Sequence, residues 1–493
     1  MAMDGPRCSP PPRTSVTRRL RTFVPCLLAL LAAPALAQTA TERFERQLEQ
    51  IQRDTRLRAY PDVAAGQRAL FDYGAFVTLN YLSIDDAEKN NHALRQLDLV
   101  GYGHLSLDGA HEVLVRARAS YRDFSPGDSF DGEGDRWIGR LEQAFYRFDL
   151  RSHLASRGRA IADDLSVQVG RQFVYWANGL TLAQYFDGVV IDARHGDLSL
   201  QLIAGVTPTF TVDFDSSRPE FDSHTLRGLY GGILSLQLGA HRPYAYVLAQ
   251  RDYNPDDEVL VVGPTRTRFD YDSYYLGLGA TGALSDVVLY AAEVTFELGH
   301  GRSGSFVGAP PLVTPVGQSR EDIAAFAADL RVEYVPQDDR RTRLTAEAIL
   351  ATGDSDRLHT SNTFGGNRPG TDDHAFNALG LTNTGLAFAP AVSNLLALRL
   401  GGSFFPLPRH STFENLQVGA DLFLFGKFNE DAPIDEPTRD RRFLGVEPDF
   451  YLNWQVTSDV TLAARYGVFF PGAAIENTKA ARHFFFTGLT ISF

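Results

Sequence analysis

The sequence predicts an all-β chain: a transmembrane up-and-down antiparallel β-barrel of about eighteen strands, with short periplasmic turns and long extracellular loops. Three observations predict it. From Phe71 onward apolar and polar residues alternate with a period of two. The connections between these segments are alternately short and long. After Gln38 no run of about eighteen apolar residues occurs, which excludes a spanning helix. It does not exclude spanning strands, which need only about ten residues with alternate positions apolar.

The N-terminus sets the compartment. Arg13, Arg18, Arg19 and Arg21 precede an apolar run from Phe23 to Ala33, and Pro34, Ala35, Leu36 and Ala37 follow. A basic region, a short hydrophobic region and a small-x-small site predict a signal peptide over 1–37, with Gln38 as mature start and Sec export favoured over the twin-arginine route. Cys26 lies inside the hydrophobic run without a lipobox, so no lipid anchor is expected. Residues 38–70 form a periplasmic lead segment: Phe44, Leu48 and Ile51 recur at helical spacing until Tyr60-Pro61. The barrel then occupies 71–493.

Both cysteines, Cys8 and Cys26, fall in the cleaved segment, so the mature chain has neither disulfide nor thiol chemistry. Cleavage also removes five arginines and one aspartate, taking the net charge from −13 to −17. So acidic an exported chain argues against nucleic acid as a partner. An anionic solute remains open, because selectivity depends on the lumen and not on the total.

Along the barrel, Phe71, Tyr73, Ala75, Val77, Leu79 and Tyr81 alternate with Asp72, Gly74, Thr78 and Asn80. Val113, Val115, Ala117, Ala119 and Tyr121 alternate with Glu112, Arg116, Arg118, Ser120 and Arg122. Similar segments centre near Leu99, Phe145, Val169, Ile191, Leu202, Leu236, Tyr246, Leu278, Val294, Leu330, Ala348, Leu398, Leu422, Leu452, Leu462 and Leu489. Short links at 108–110, 196, 239–241, 284–285, 336–341, 406–411 and 457–458 alternate with long polar ones. The long ones are 83–93, 123–136, 175–185, 207–227, 253–270, 299–321, 353–393, 427–442 and 471–482. One exception stands, 151–163, a long link where a short one is due. An even strand count puts both ends of the barrel on the periplasmic side.

The final stretch alternates too, with Phe485, Thr487, Leu489, Ile491 and Phe493 on one face. An aromatic-rich strand ending at Phe493 resembles the closing strand of bacterial outer-membrane barrels, which implies recognition by the barrel assembly machinery. Outer-membrane lipid is the expected surroundings.

If alternate residues face lipid and lumen, Arg116, Arg118, Arg122, Arg194, Arg331, Arg343, Arg399 and Arg465 point inward. So do Asp98, Asp192, Glu293, Glu297, Asp329, Glu333, Glu347, Asp421, Glu447 and Asp449. A charge on the lipid face costs about 2–4 kcal/mol at the midplane, and this decides the orientation. Guanidinium forks held on strands can grip carboxylates bidentately. The wall is then either a selectivity surface for a carboxylated solute or a self-neutralising ladder of Arg and Asp/Glu pairs, and both can hold together. The pore-lining candidates are Arg116, Arg118, Arg122, Asp192, Arg194, Arg331, Arg343, Arg399, Glu447, Asp449 and Arg465.

Enzymatic readings find little support. The histidines at 92, 104, 111, 153 and 195 form no metal-ligand pattern, no serine sits in a nucleophile elbow, and the acidic stretches 128–135 and 256–258 lack EF-hand spacing. No cofactor, catalytic residue or metal is expected.

The stretch from Asp163 to Asp192 contains Gly170-Arg171-Gln172 and then Phe186-Asp187-Gly188. Later come Gly445, Glu447 and Asp449 at alternate positions, then Arg465-Tyr466 leading to Phe470-Pro471-Gly472. In these motifs the chain resembles the alginate export porin family. The resemblance implies an eighteen-stranded monomeric barrel with an Arg-rich constriction passing an anionic polyuronate. Where family members often carry Arg after the Asp-Gly-Val step, this chain has Val190. Arg171 shares parity with Val167 and Val169, which aims it at lipid unless it lies at the rim or after a bulge. The expected function is passive export of an alginate-like polysaccharide through the outer membrane, with a general or small-solute porin as the alternative.

Overall fold

The computed structural model describes residues 69–125, 128, 136–211, 225–254, 259–262, 264–307, 314–357, 366–477 and 479–493. The expected signal peptide and nearly all of the lead segment lie outside the described residues.

Eighteen antiparallel strands close into one barrel. In chain order they are Ala69–Asp85, Asn91–Leu107, His111–Phe124, Arg136–Asp149, Asp164–Tyr175, Ala183–His195, Leu198–Val206, Arg227–Leu236 and His241–Asp252. Then follow Tyr271–Ser285, Val288–Arg302, Arg320–Tyr334, Arg343–Ala351, Leu395–Phe404, Leu416–Gly426, Phe443–Gln455, Val460–Pro471 and Arg482–Ser492. Each pairs with its chain neighbours, and the last pairs with the first from Phe76↔Ser492 to Ile84↔Phe484. Beyond that register Phe493 and Ala75 exchange both backbone hydrogen bonds, at 2.8 and 3.3 Å. Backbone pairing thus closes the seam from Ala75 to Ile84. Each segment centre read from the sequence falls in a strand of its own, although Leu236 ends its strand.

The alternation sorts the residues as the period-two pattern requires. In the strand Asn91–Leu107, His92, Leu94, Gln96, Asp98, Val100, His104 and Ser106 are buried while Leu99, Leu105 and Leu107 are exposed. The outer face elsewhere carries exposed Leu278, Phe296, Leu330, Leu398, Phe450, Phe470 and Phe485, an apolar surface suited to hydrocarbon. In three strand pairs the register shifts, at Arg116/Ala117, Ala283/Ser285 and Phe425/Gly426.

Among the connections that depart from the lengths read in the sequence, two stand out. The first extracellular one is only 86–90, because the first two strands stay paired out to Asp85↔Asn91. There the Asp86 carboxylate accepts from the Asn90 backbone at 2.7 Å, a local bond that closes the turn. The periplasmic link 405–415 is longer than expected. The exceptional periplasmic link exists: it opens with a helix, α1 (Leu150–Ser156), N-capped by Asp149, which accepts from Ser152 N at 2.6 Å. The first strand begins at Ala69, two residues before the boundary read from the sequence.

Candidate functional site

The lumen is the candidate site, and two chain segments cross it. The first, 176–182, follows the strand Asp164–Tyr175 and turns inward. Trp176 Nε1 donates to Gln201 Oε1 at 2.6 Å, Asn178 N donates to Glu293 at 2.9 Å, and Asn178 Nδ2 donates to Asp329 at 3.0 Å. Thr181 meets the Tyr246 hydroxyl at 2.7 Å. The second is the described part of the long connection before Leu395. Asn377 N donates to Glu297 at 2.7 Å, and Tyr275 donates its hydroxyl proton to Asn377 O at 2.5 Å. Further on, Leu386, Ala387 and Phe388 donate their backbone N–H groups to Glu447 at 2.5, 2.6 and 2.8 Å. Phe388 stacks on Phe469 at 4.1 Å.

The two segments also bind each other: Ala183 N donates to Leu379 O and Leu381 N to Gly179 O, both at 2.8 Å. Inward carboxylates on the wall therefore fix the backbone of the inserted segments. Nothing in a periodicity argument assigns them that task, since the signal lies in backbone N–H groups that every residue carries.

Arg116 and Arg118 share one carboxylate. Arg116 Nε lies 2.6 Å from Glu142 Oε2, and Arg118 Nη2 lies 2.6 Å from Oε1. The bulge explains this geometry: Arg116 pairs with Gln143 and Ala117 with Leu141, so Glu142 is the extra residue, set between the two arginines. Arg116 also lies over the Phe76 ring at 5.0 Å. Arg122 is buried opposite Arg136 in the same strand pair. Sequence parity did not single out Glu142, because a bulge is invisible to it.

Arg331, Arg343 and Arg399 sit on three consecutive strands, interleaved with Glu333 and Glu347, and Asp421 lies on the next strand. Arg399 grips Asp421 bidentately at 2.9 and 3.2 Å and reaches Glu347 at 3.0 Å. Arg331 lies 3.5 Å from Glu333 and 3.9 Å from Glu347, and Arg343 lies 3.6 Å from Glu333. This is the alternating ladder of charges. Arg465 Nη1 donates to Leu452 O and Ala464 O at 3.0 and 2.9 Å, with the guanidinium 5.5 Å from the Tyr451 ring. Asp449 is buried on the same strand and face as Glu447.

Asp192 and Arg194 stand apart from these groups. They line a cavity of about 480 Å³ toward the periplasmic end, with Arg147, Asp164 and Arg242. A larger cavity of about 910 Å³ is lined by Phe76, Asn80, Asp98, Arg116, Arg118, Gln143 and Gln417, among others. Val190 is buried against the inserted segments, packed with Trp176 and Leu180. Arg171 keeps the parity of Val167 and Val169, and Asp187 directly opposite answers its charge at 2.6 and 2.7 Å. Gly170 before it has a φ of 128°, and a side chain there would collide with Ala144 O.

A family model described as alginate export matches residues 38–487. The chain belongs to the alginate export family. No curated protein matches the sequence. Among solved structures, the Acinetobacter baumannii protein OccAB2 is similar at a TM-score of 0.52 and 10% identity, covering 86% of this chain and 98% of its own. The outer membrane protein opdK from Pseudomonas aeruginosa is similar at a TM-score of 0.50 and 10% identity, again covering 86% and 98%. At that identity the likeness concerns the fold. This member of the alginate export family is an outer-membrane β-barrel channel.

Proposed function

We propose that this alginate-export-family barrel passes an anionic polysaccharide, an alginate-like polyuronate, across the outer membrane by diffusion and without catalysis. The observation that carries the reading is the arginine wall inside a chain of that family: Arg116 and Arg118 at one side, Arg343, Arg399 and Arg465 at another. A guanidinium has five N–H donors, and Arg343 meets Glu333 only at 3.6 Å. A passing carboxylate competes with the wall carboxylates for such donors and is handed from one arginine to the next. Wall carboxylates keep each hold weak enough for release, as conduction requires. The inserted connection before Leu395 narrows the mouth. The closing Phe493 strand addresses the assembly machinery, and the barrel works as a monomer in outer-membrane lipid.

Reconstituted in planar bilayers, the barrel is expected to prefer anions and to be blocked by oligouronates. Cation preference without block overturns the reading, as does turnover of lipid or ester. A second reading, a small-solute porin, draws support from the two inserted segments that bond across the lumen. It predicts uptake of small solutes with no oligouronate block.

A further inference from the structure

The cavity at the periplasmic end has features the wall ladder lacks. At about 480 Å³ it lies within the usual span for small-ligand sites, about 300–1,000 Å³. It lies on strands running from Arg147 to Arg242, with Trp176 of the first inserted segment in its lining. Its charged groups are three arginines, Arg147, Arg194 and Arg242, against two aspartates, Asp164 and Asp192, a single positive excess.

Their bonding is incomplete, unlike that of Arg399. Among the described residues Arg194 has no hydrogen-bond or ion-pair partner. Arg242 uses Nε and Nη2 on Ser235 Oγ, at 3.0 and 2.8 Å, which leaves Nη1 to spare. Arg147 approaches Glu112 and Asp149 only at 3.7 and 3.9 Å. On the acceptor side, Asp164 Oδ1 is buried with no partner among the described residues, while Asp192 Oδ1 already accepts from Gln201 Nε2 at 2.7 Å. Trp176 and Tyr244 add aromatic wall. A buried acceptor without a donor is costly, so the arrangement suits a ligand that brings one.

This set of groups selects among ligands. A bare anion satisfies Arg194 and Arg242 but leaves Asp164 Oδ1 orphaned and is repelled by both aspartates. A neutral sugar can donate to Asp164 and accept from the arginines, but brings no negative charge to offset the positive excess. A uronic acid residue does both, its carboxylate on the arginines and a ring hydroxyl donating to Asp164, with its C–H face on the aromatic wall. We propose that this cavity is a periplasmic-side subsite for one uronic acid residue of the cargo chain, and the assignment rests on the polyuronate reading above. It also gives a use to the exceptional periplasmic link. That link joins the strand of Arg147 to the strand of Asp164, and its exposed Arg151, Arg157 and Arg159 place positive charge beside the entrance, where it attracts a polyanion.

The test uses the full barrel in planar bilayers, with oligouronates or acetate added on one side at a time. Heat-modifiable gel migration verifies that Arg194→Gln, Asp164→Asn and Arg399→Gln are folded. Oligouronate added on the periplasmic side should block the wild type, and Arg194→Gln should weaken that block about tenfold. Asp164→Asn should weaken the oligouronate block while leaving any acetate effect unchanged. Block that both variants retain at wild-type strength, but that Arg399→Gln loses, overturns the subsite and leaves the polyuronate reading standing. Weakening by Arg194→Gln alone overturns the uronic acid assignment in favour of a plain anion site. A wild type that no oligouronate blocks overturns both.

Discussion

Replacing Glu447 by alanine should release the second inserted segment and widen the channel. Glu447 is fully buried and accepts three backbone N–H groups in a row, from Leu386, Ala387 and Phe388. Each buried donor left without an acceptor costs about 1–3 kcal/mol, so three lost together cost about 3–9 kcal/mol. Water entering the vacated space recovers part of this, and the lower end, about 3 kcal/mol, is the fair figure. That figure changes the ratio of docked to released segment by about two orders of magnitude. The stack of Phe388 on Phe469 persists and opposes full release, so fluctuation between two conductance levels is expected instead of a permanently open pore. Single-channel recording reads the result directly. Glu447→Gln, which keeps one carbonyl acceptor, should fall between alanine and wild type. If Glu447→Ala shows the conductance and noise of the wild type, the anchoring argument is wrong.

Arg399→Gln leaves Asp421 and Glu347 facing each other without their shared counter-charge. Breaking one partner of such a buried pair costs about 3–5 kcal/mol, measurable by urea unfolding, and the reversal potential should move toward cations. Adding Asp421→Asn should recover part of both effects. Asp187→Asn strips Arg171 of its bidentate partner, and the stability loss in the same assay reports depth in the bilayer: about 2–4 kcal/mol near the midplane, under about 1 near the interface. In the extracellular 86–90 turn, burial pushes the Asp86 carboxyl upward, but hydrogen bonds from His92 and Asn90 outweigh it and hold the group below its ordinary value of 3.8. The native state then binds fewer protons than the unfolded one below that value, so the contribution is complete above it and lost as pH falls through the depressed pKa. Hydrogen exchange of the turn should show an advantage of wild type over Asp86→Asn at a pH of about 5 that shrinks below the ordinary carboxylate range.

The period of two made the barrel legible because burial on one face and hydrocarbon on the other act on every residue of every strand. The strand Asn91–Leu107 shows the alternation from Asn91 to Gly101 and again from His104 to Leu107. Connections were legible by length but not by conformation. The segment 176–182 was read as part of a long polar loop although Trp176, Leu180 and Leu182 are apolar, and its inward path is fixed by carboxylates such as Glu293 and Asp329, more than a hundred residues away in the chain. Parity likewise could not foresee that Glu142, through one extra residue in its strand, would serve two arginines. Arg194 was legible as an inward charge, yet its lack of a partner among the described residues depends on three-dimensional neighbours.

The handclasp between Ala75 and Phe493 makes the protein indivisible in a way that a soluble multidomain chain is not. The first strand must wait, half satisfied, until the strand Arg482–Ser492 has been synthesised and delivered to it. Loss of even a short C-terminal piece would not yield a slightly narrower pore; it would leave two raw sheet margins, each able to recruit a neighbour's strand, and the outcome would be clumping instead of conduction.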